Sequence, residues 1–365
     1  MNLLYTDVEE QLRASVRDLL GDRAQPSAVL ARCETDTPHD LDLWRTLTAD
    51  LGAGSLHVPE ELGGQGASVR EVAVVLEELG RHVAPVPFLG SAVLATSALL
   101  ACEPTTEVRD LLAALGTGRS VGALVVSLAT APGAPPPPTV EVVDRQLRGA
   151  VRSVADAGPA DVLLVPAGGT LYAVRTDQPA VAVTPVVSLD LTRPVADVRL
   201  DGATGTPLGP DAAVDSALWT ATALLASEQI GVTQWCLTTT VAYLKDRHQF
   251  GRPVGSFQAL KHRLADLFGD LALARAAARN AADTAAADPG GDEAKLSALL
   301  ANSLCSDVAV HAAQECVQLH GGIGMTWEHP AHLYLKRAKA DQIAFGTPGQ
   351  LRQLLAPLVD LPGPR

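Results

Sequence analysis

Arg247-His248-Gln249-Phe250-Gly251 sets a guanidinium, an amide, an aromatic ring and a glycine within five residues. Gln258 follows at the start of a helical stretch, and Gln318-Leu319-His320-Gly321-Gly322-Ile323-Gly324 comes 60 residues later. An arginine, glutamines, a phenylalanine and a glycine pair suit an extended anionic dinucleotide. Arginine grips a pyrophosphate with two parallel charge-assisted hydrogen bonds. A Gly-Gly pair lets backbone approach a ligand closely, because no Cβ intervenes. The chain carries a net charge of −13, so an anionic ligand needs a local basic patch. Lys245, Arg247, Arg252, Lys261, His262 and Arg263 form the densest one.

The elements that must position these residues are mostly helical. Residues 1–117 form a first helical domain. Thr6-x-x-Glu9 and Ser68-x-x-Glu71 are capping boxes that open apolar stripes at helical spacing. Trp44 lies in a helix stopped near Gly52, and Val58–Gly66 is a turn-rich loop. From 118 to 208 the helical period fades. Apolar and β-branched runs at 121–126, 139–143, 161–165 and 171–174 predict a small β domain, with Gly168-Gly169 as a hairpin connection. Pro135–Pro138 is stiff and cannot donate to a sheet. Residues 209–365 predict long helices over 211–246, 257–287 and 292–319, then shorter ones near 330–341 and 349–358. Long helices with short connections read as an antiparallel bundle, with small side chains permitting close approach. The fold class is therefore mainly α with a small β domain.

Hydrophobic residues make up 47% of the 365, enough for a substantial core. No apolar run reaches a membrane-spanning length, and the N-terminus lacks the pattern of a signal peptide. The acidic balance argues against nucleic acid as a general partner. Five scattered cysteines with no CxxC predict buried, reduced thiols, a cytoplasmic setting and no metal site.

With the motifs in this order, the chain resembles the acyl-CoA dehydrogenase family along nearly its whole length. Trp44–Gly52, Val58–Gly64 and Glu77–Arg81 are similar to the family's N-terminal domain. Leu147–Gly149 and Ala160–Val165 are similar to its β domain, and Arg247-x-Gln249-Phe250-Gly251 with Gln318-x-x-Gly321-Gly322 to its C-terminal bundle. The resemblance implies FAD as cofactor, oxidation of acyl-CoA thioesters to 2-enoyl-CoA, and an electron-transfer flavoprotein as acceptor. It also implies that Arg247, Gln249, Phe250, Gln258, Gln318, Leu319, Gly321 and Gly322 hold the ADP half of a neighbouring subunit's FAD.

The residues that would do chemistry beside the flavin ring depart from the family pattern. Family members take the α-proton with a glutamate, and Phe345 stands at that position. An alternative base position on the long helix, 26 residues before Arg247, is Ala221. Neither accepts a proton. Glu228, seven residues beyond Ala221, shares its helix face but sits about 10 Å along the axis, so it is a weak candidate base. The polar loop that lines the flavin ring corresponds to Leu128–Pro135, and a second shelf element to Val151–Asp156. There the usual acid, serine and tryptophan are missing, and Thr130 or Ser153 are the partial substitutes. His320 lies inside the glycine motif, where it could touch adenine. The other motif histidines read as solvated or packed, and Arg337 as a packing or salt-bridge residue.

Groups that act on a neighbour's cofactor are thus kept, and groups that act within the subunit are gone. This is similar to the base-lacking subunit of two-type heterotetramers in bacterial steroid side-chain degradation. The partner implied is a base-carrying acyl-CoA dehydrogenase subunit. Two other readings are a self-sufficient homo-oligomeric dehydrogenase using Glu228, and a flavin- or CoA-binding structural protein without redox turnover.

Overall fold

The computed structural model describes residues 3–133 and 139–361. The N-terminal helices are α1 (Asp7–Arg23), α2 (Pro26–Cys33), α3 (Leu41–Arg45), α4 (Val69–His82), α5 (Thr96–Leu100) and α6 (Thr106–Gly116). Both capping boxes form: the Thr6 and Ser68 hydroxyls meet the first turns of α1 and α4, while Glu9 and Glu71 return to the cap backbones. α3 runs on as a π-helical turn to Asp50, and Gly52 takes the left-handed conformation that ends it (φ 66°). A π-helical run, Phe88–Ala95, leads into α5 and is buried throughout.

Eight strands follow: β1 (Gly122–Leu124), β2 (Val140–Val143), β3 (Gln146–Ala155), β4 (Val162–Ala167), β5 (Thr170–Arg175), β6 (Val181–Val186), β7 (Val195–Ala203) and β8 (Thr206–Pro210). They make two four-stranded sheets, ordered β1-β4-β5-β8 and β2-β3-β7-β6. The β4–β5 hairpin turns on Gly168 and Gly169, both at positive φ. Side chains of β4 alternate. Leu163 and Val165 enter a core between the sheets, whereas Val162 and Leu164 join the helical core. The first sheet is therefore the middle layer. The proline run at 135–138 lies outside the described residues.

The bundle consists of α7 (Ala212–Asp246), α8 (Gln258–Ala287), α9 (Asp292–His320), α10 (Ala331–Ile343) and α11 (Pro348–Leu358). A short hairpin, β9 (His248–Gln249) and β10 (Arg252–Pro253), joins α7 to α8. α7 is the central pillar. α4 packs so tightly on it that a Cβ on Gly231 would lie 1.9 Å from the Glu77 carbonyl oxygen. α9 is, among the described residues, the one helix long and apolar enough to cross a membrane. However, 72% of its apolar window is buried within the protein, so its apolarity serves the core.

Candidate functional site

Three helix ends meet at one end of the bundle. Tyr243 near the end of α7 stacks on His320 at the end of α9, ring centroids 4.5 Å apart. Arg263 in the first turns of α8 bonds Glu315 near the end of α9 at 2.6 Å. These contacts gather Arg247, Gln258 and Gln318, each at a helix terminus. The Arg247 N–H closes α7 on the Tyr243 carbonyl, and its own carbonyl accepts from Val254 N at 2.7 Å. Phe250 and Gly251 make the hairpin turn with positive φ, which lifts the Phe250 ring to 89% exposure. Phe257, edge-on to Phe250 at 6.1 Å and beneath the Arg252 guanidinium, braces it.

Gln249, Gln258, Gln318, Gly321 and Gly322 are exposed at this end, and Leu319 is half-buried beneath them. Gly321 (φ 63°) turns the chain out of α9, and a Cβ on Gly321 or Gly322 would meet nothing within 4 Å. The glycines thus leave bare backbone facing open space. Arg247, Lys245 and Lys261 are exposed and form no ion pair among the described residues. On so acidic a chain, cations without ion-pair partners make this end locally positive. The group that fits is a pyrophosphate with an attached nucleoside. His320 does not take part. It is buried between Tyr243 and His329 and hydrogen-bonded to the Cys316 carbonyl, a packed histidine rather than one open to adenine.

The ring-side segments behave oppositely. Phe345 is fully buried, and its N–H donates to the Leu128 carbonyl at 2.8 Å. The Leu128 N–H in turn donates to the Ser153 carbonyl at 3.0 Å, so three segments are stitched into a seam. Gly346 (φ 102°) follows so closely that a Cβ there would lie 3.1 Å from Ala131. Asp156, the last residue of the shelf segment, points its carboxylate at the Gly90 N–H (2.9 Å) and the His39 ring (3.1 Å). It fastens β3 to the N-terminal helices. A groove of about 960 Å³ opens beyond the seam, lined in part by Ser127, Thr130, Arg152 and Asp215. Asp215 supplies no free carboxylate there. Its two oxygens accept from Gly133 N (2.6 Å) and Trp219 Nε1 (3.0 Å).

Ala221 is buried in α7, and Glu228, two turns on, is buried with it. The Glu228 carboxylate accepts from Arg193 and, at 2.6 Å, from Arg337. Arg337 also bonds Asp190 (2.5 Å) and Thr192 (2.7 Å), so it is the hub of a buried ionic cluster. Burial alone would raise the Glu228 carboxyl, but Arg193 and Arg337 outweigh it and hold the group below its usual range. A general base needs the opposite shift and a path to substrate. Glu228 as a weak candidate base is therefore corrected: it is a structural anion. Asp341, 3.9 Å from Arg193, is pushed well up by burial and by Glu228.

Sequence reasoning missed this cluster. Its members lie at 190, 192, 193, 228, 337 and 341, and no spacing signals them. Among the described residues no group of His, Cys, Asp and Glu is placed to hold a metal.

The acyl-CoA dehydrogenase N-terminal domain matches residues 6–110, and the acyl-CoA dehydrogenase C-terminal domain matches 212–357. A relative described as acyl-CoA dehydrogenase IpdE2, from Mycolicibacterium smegmatis, is 38% identical over 96% of this chain and 99% of its own length. This chain is an acyl-CoA dehydrogenase family member. The family is one of FAD-dependent oxidoreductases. Acyl-CoA dehydrogenase FadE27 of Mycobacterium tuberculosis is 32% identical over 99% of this chain and 100% of its own. Among solved structures, the ChsE4-ChsE5 complex from Mycobacterium tuberculosis superposes with a TM-score of 0.88 at 29% identity, covering 100% of both chains. A variant of the steroid enzyme Tcur3481-Tcur3483 gives 0.86 at 30% identity, over 97% of this chain and 98% of that one. The acyl-CoA dehydrogenase fold expected from the sequence is the fold observed.

Proposed function

We propose that this chain is the base-lacking subunit of a heteromeric FAD-dependent acyl-CoA dehydrogenase acting in lipid or steroid degradation. The supporting observation is one contrast: the nucleotide grip is open, cationic and unpaired, while the ring-side seam is closed around Phe345. Two structural neighbours, at 29% and 30% identity, are themselves described by paired names. The base-carrying partner is a related subunit with a glutamate where Phe345 stands here. FAD supplies the hydride acceptor when bound. Arg247, Gln249, Phe250, Gln258, Gln318, Leu319, Gly321 and Gly322 would hold its ADP half, with Arg247 supplying the charge that a pyrophosphate needs. The three segments 1–117, 118–208 and 209–365 act as domains, with the last carrying the grip and the subunit interface. An electron-transfer flavoprotein reoxidises the complex, which we place in the cytoplasm.

The grip has a direct test. Arg247→Ala in the co-produced complex is expected to lower flavin content at least tenfold under dilution, through loss of a bidentate charge-assisted contact. Arg247→Lys should restore only part of it. Unchanged flavin affinity in both variants would refute the role. Glu228→Gln discriminates the self-sufficient reading: it is expected to lower stability and leave the rate per folded complex intact.

A further inference from the structure

The grip has two halves. One is the hairpin after α7, with Arg247 at its base, and the other is the 3-10 turn Gly321–Met325 that follows α9. His320 stands between them as the last residue of α9, with 3% of its surface exposed. It is too buried to meet a ligand, but its ring is held by two others. The Tyr243 ring stacks on it at 4.5 Å and 25°, and the His329 ring meets it at 4.4 Å and 46°. Its Nδ1–H donates to the Cys316 carbonyl, one turn back in α9, at 2.7 Å. That in-plane bond fixes the neutral ring's tautomer and its angle, and leaves its faces for stacking.

Each ring contact leads to a different half of the grip. Tyr243 is also the residue whose carbonyl accepts the Arg247 N–H, at 2.8 Å, so the stacked ring and the anchor of the hairpin belong to one residue. The glycine turn, for its part, folds back over His320. A Cβ on Gly324 would lie 2.9 Å from the His320 Cβ and 2.5 Å from the Val317 carbonyl oxygen, so only glycine allows this approach. The turn is thus pinned to one imidazole at its start, through Gly321, and beyond its end, through His329. Loops held in place before a ligand arrives lose less freedom on binding.

We propose that His320 is a positioning residue of the grip. Its ring ties the Arg247 hairpin to the glycine turn, so both halves meet one dinucleotide at a fixed spacing. The inference rests on the nucleotide grip proposed above and adds the part that holds the grip together.

Flavin release from the co-produced complex tests this, followed after dilution by the fluorescence of freed FAD, with a thermal melt on each sample. His320→Phe keeps a flat ring in the stack, whereas His320→Asn keeps an amide donor and loses the ring. Tyr243→Leu breaks the same stack from a half-buried position, so the test does not depend on the folding of one variant. His320→Asn and Tyr243→Leu are each expected to release flavin about tenfold faster, the scale of a lost ring contact. The two together should release it little faster than either alone, because both break one tie. His320→Phe should stay within about twofold of wild type, since the ring contact survives. Arg247→Ala separates two kinds of failure. If it speeds release while His320→Asn and Tyr243→Leu do not, His320 positions nothing and the grip stands. If it too leaves release unchanged, the grip reading falls and this inference with it. Multiplied effects in the double variant, or release that tracks the melting temperature across all the variants, would also overturn the proposal.

Discussion

Phe345 and Glu228 show how much a residue's role depends on what surrounds it. Restoring the family's acid as Phe345→Glu is expected not to restore turnover. The site is fully buried and sealed by the Leu128 and Ser153 backbone, so a carboxylate there would lie unpaired and cost several kcal/mol. A thermal melt reading a large drop, with no acyl-CoA oxidation by the chain alone, is the expected result.

The buried ionic cluster gives a second pair of outcomes. Glu228→Gln removes the anion that serves two arginines and should destabilise by about 3–5 kcal/mol. Glu228 is held below its ordinary 4.5, so its contribution is complete above that pH and is lost as pH falls through the lowered value. Asp341 is held above its ordinary 3.8, so its contribution is complete at low pH and fades as rising pH removes the proton. Asp341→Asn should therefore differ least from wild type at low pH and gain on it as pH rises. Melts from about pH 2 to 9 on both variants check the two signs. Motif residues were legible because they lie in short runs of sequence. The cluster was not, because only the folded chain brings positions 190 and 341 together.

At the scale of elements, the bundle helices and the starts of α1 and α4 were readable to within a residue or two, whereas α2, α5, α6 and the π-helical run at Phe88–Ala95 were not placed. Caps and glycine stops are local chemistry: Thr6, Ser68 and Gly52 do what their types allow. The strands beyond 175 were not readable. β6 contains Pro185, and β8 contains Pro207 and Pro210, which argue against strand in a sequence. The structure resolves this by topology, since β6 and β8 are the edge strands of their sheets, where a missing N–H is tolerated. The small residues of the bundle are equally specific. Gly80 and Gly231 sit where α4 crosses α7, and a Cβ on Gly80 would lie 2.1 Å from the Glu228 carbonyl oxygen. Gly231→Ala must push the two helices apart and is expected to cost 3 kcal/mol or more, by ~1–3 kcal/mol of overpacking plus broken contacts to Glu228's helix. Denaturant unfolding measures it, and a neutral or stabilising effect would mean that the crossing is looser than described.

At the scale of the whole molecule, the proposed function makes the chain half of an arrangement. Its anion grip faces outward, and Phe250, Met325 and Ile323 stand 89%, 78% and 50% exposed beside it. Large apolar side chains left open next to unpaired cations mark a surface that something covers. The sequence showed the residues of the proposed grip and Phe345 at the position of the family's base. It could not announce the seam, because the Phe345–Leu128–Ser153 bonds are backbone contacts between distant segments.

The most direct measurement is the flavin content and activity of the chain produced alone and produced with a base-carrying partner, followed by absorbance and by acyl-CoA oxidation with an external electron acceptor. The account expects a nearly colourless, inactive chain alone and a yellow, active complex holding one FAD per pair of unlike chains. A chain that alone binds a full equivalent of FAD and oxidises an acyl-CoA would contradict it.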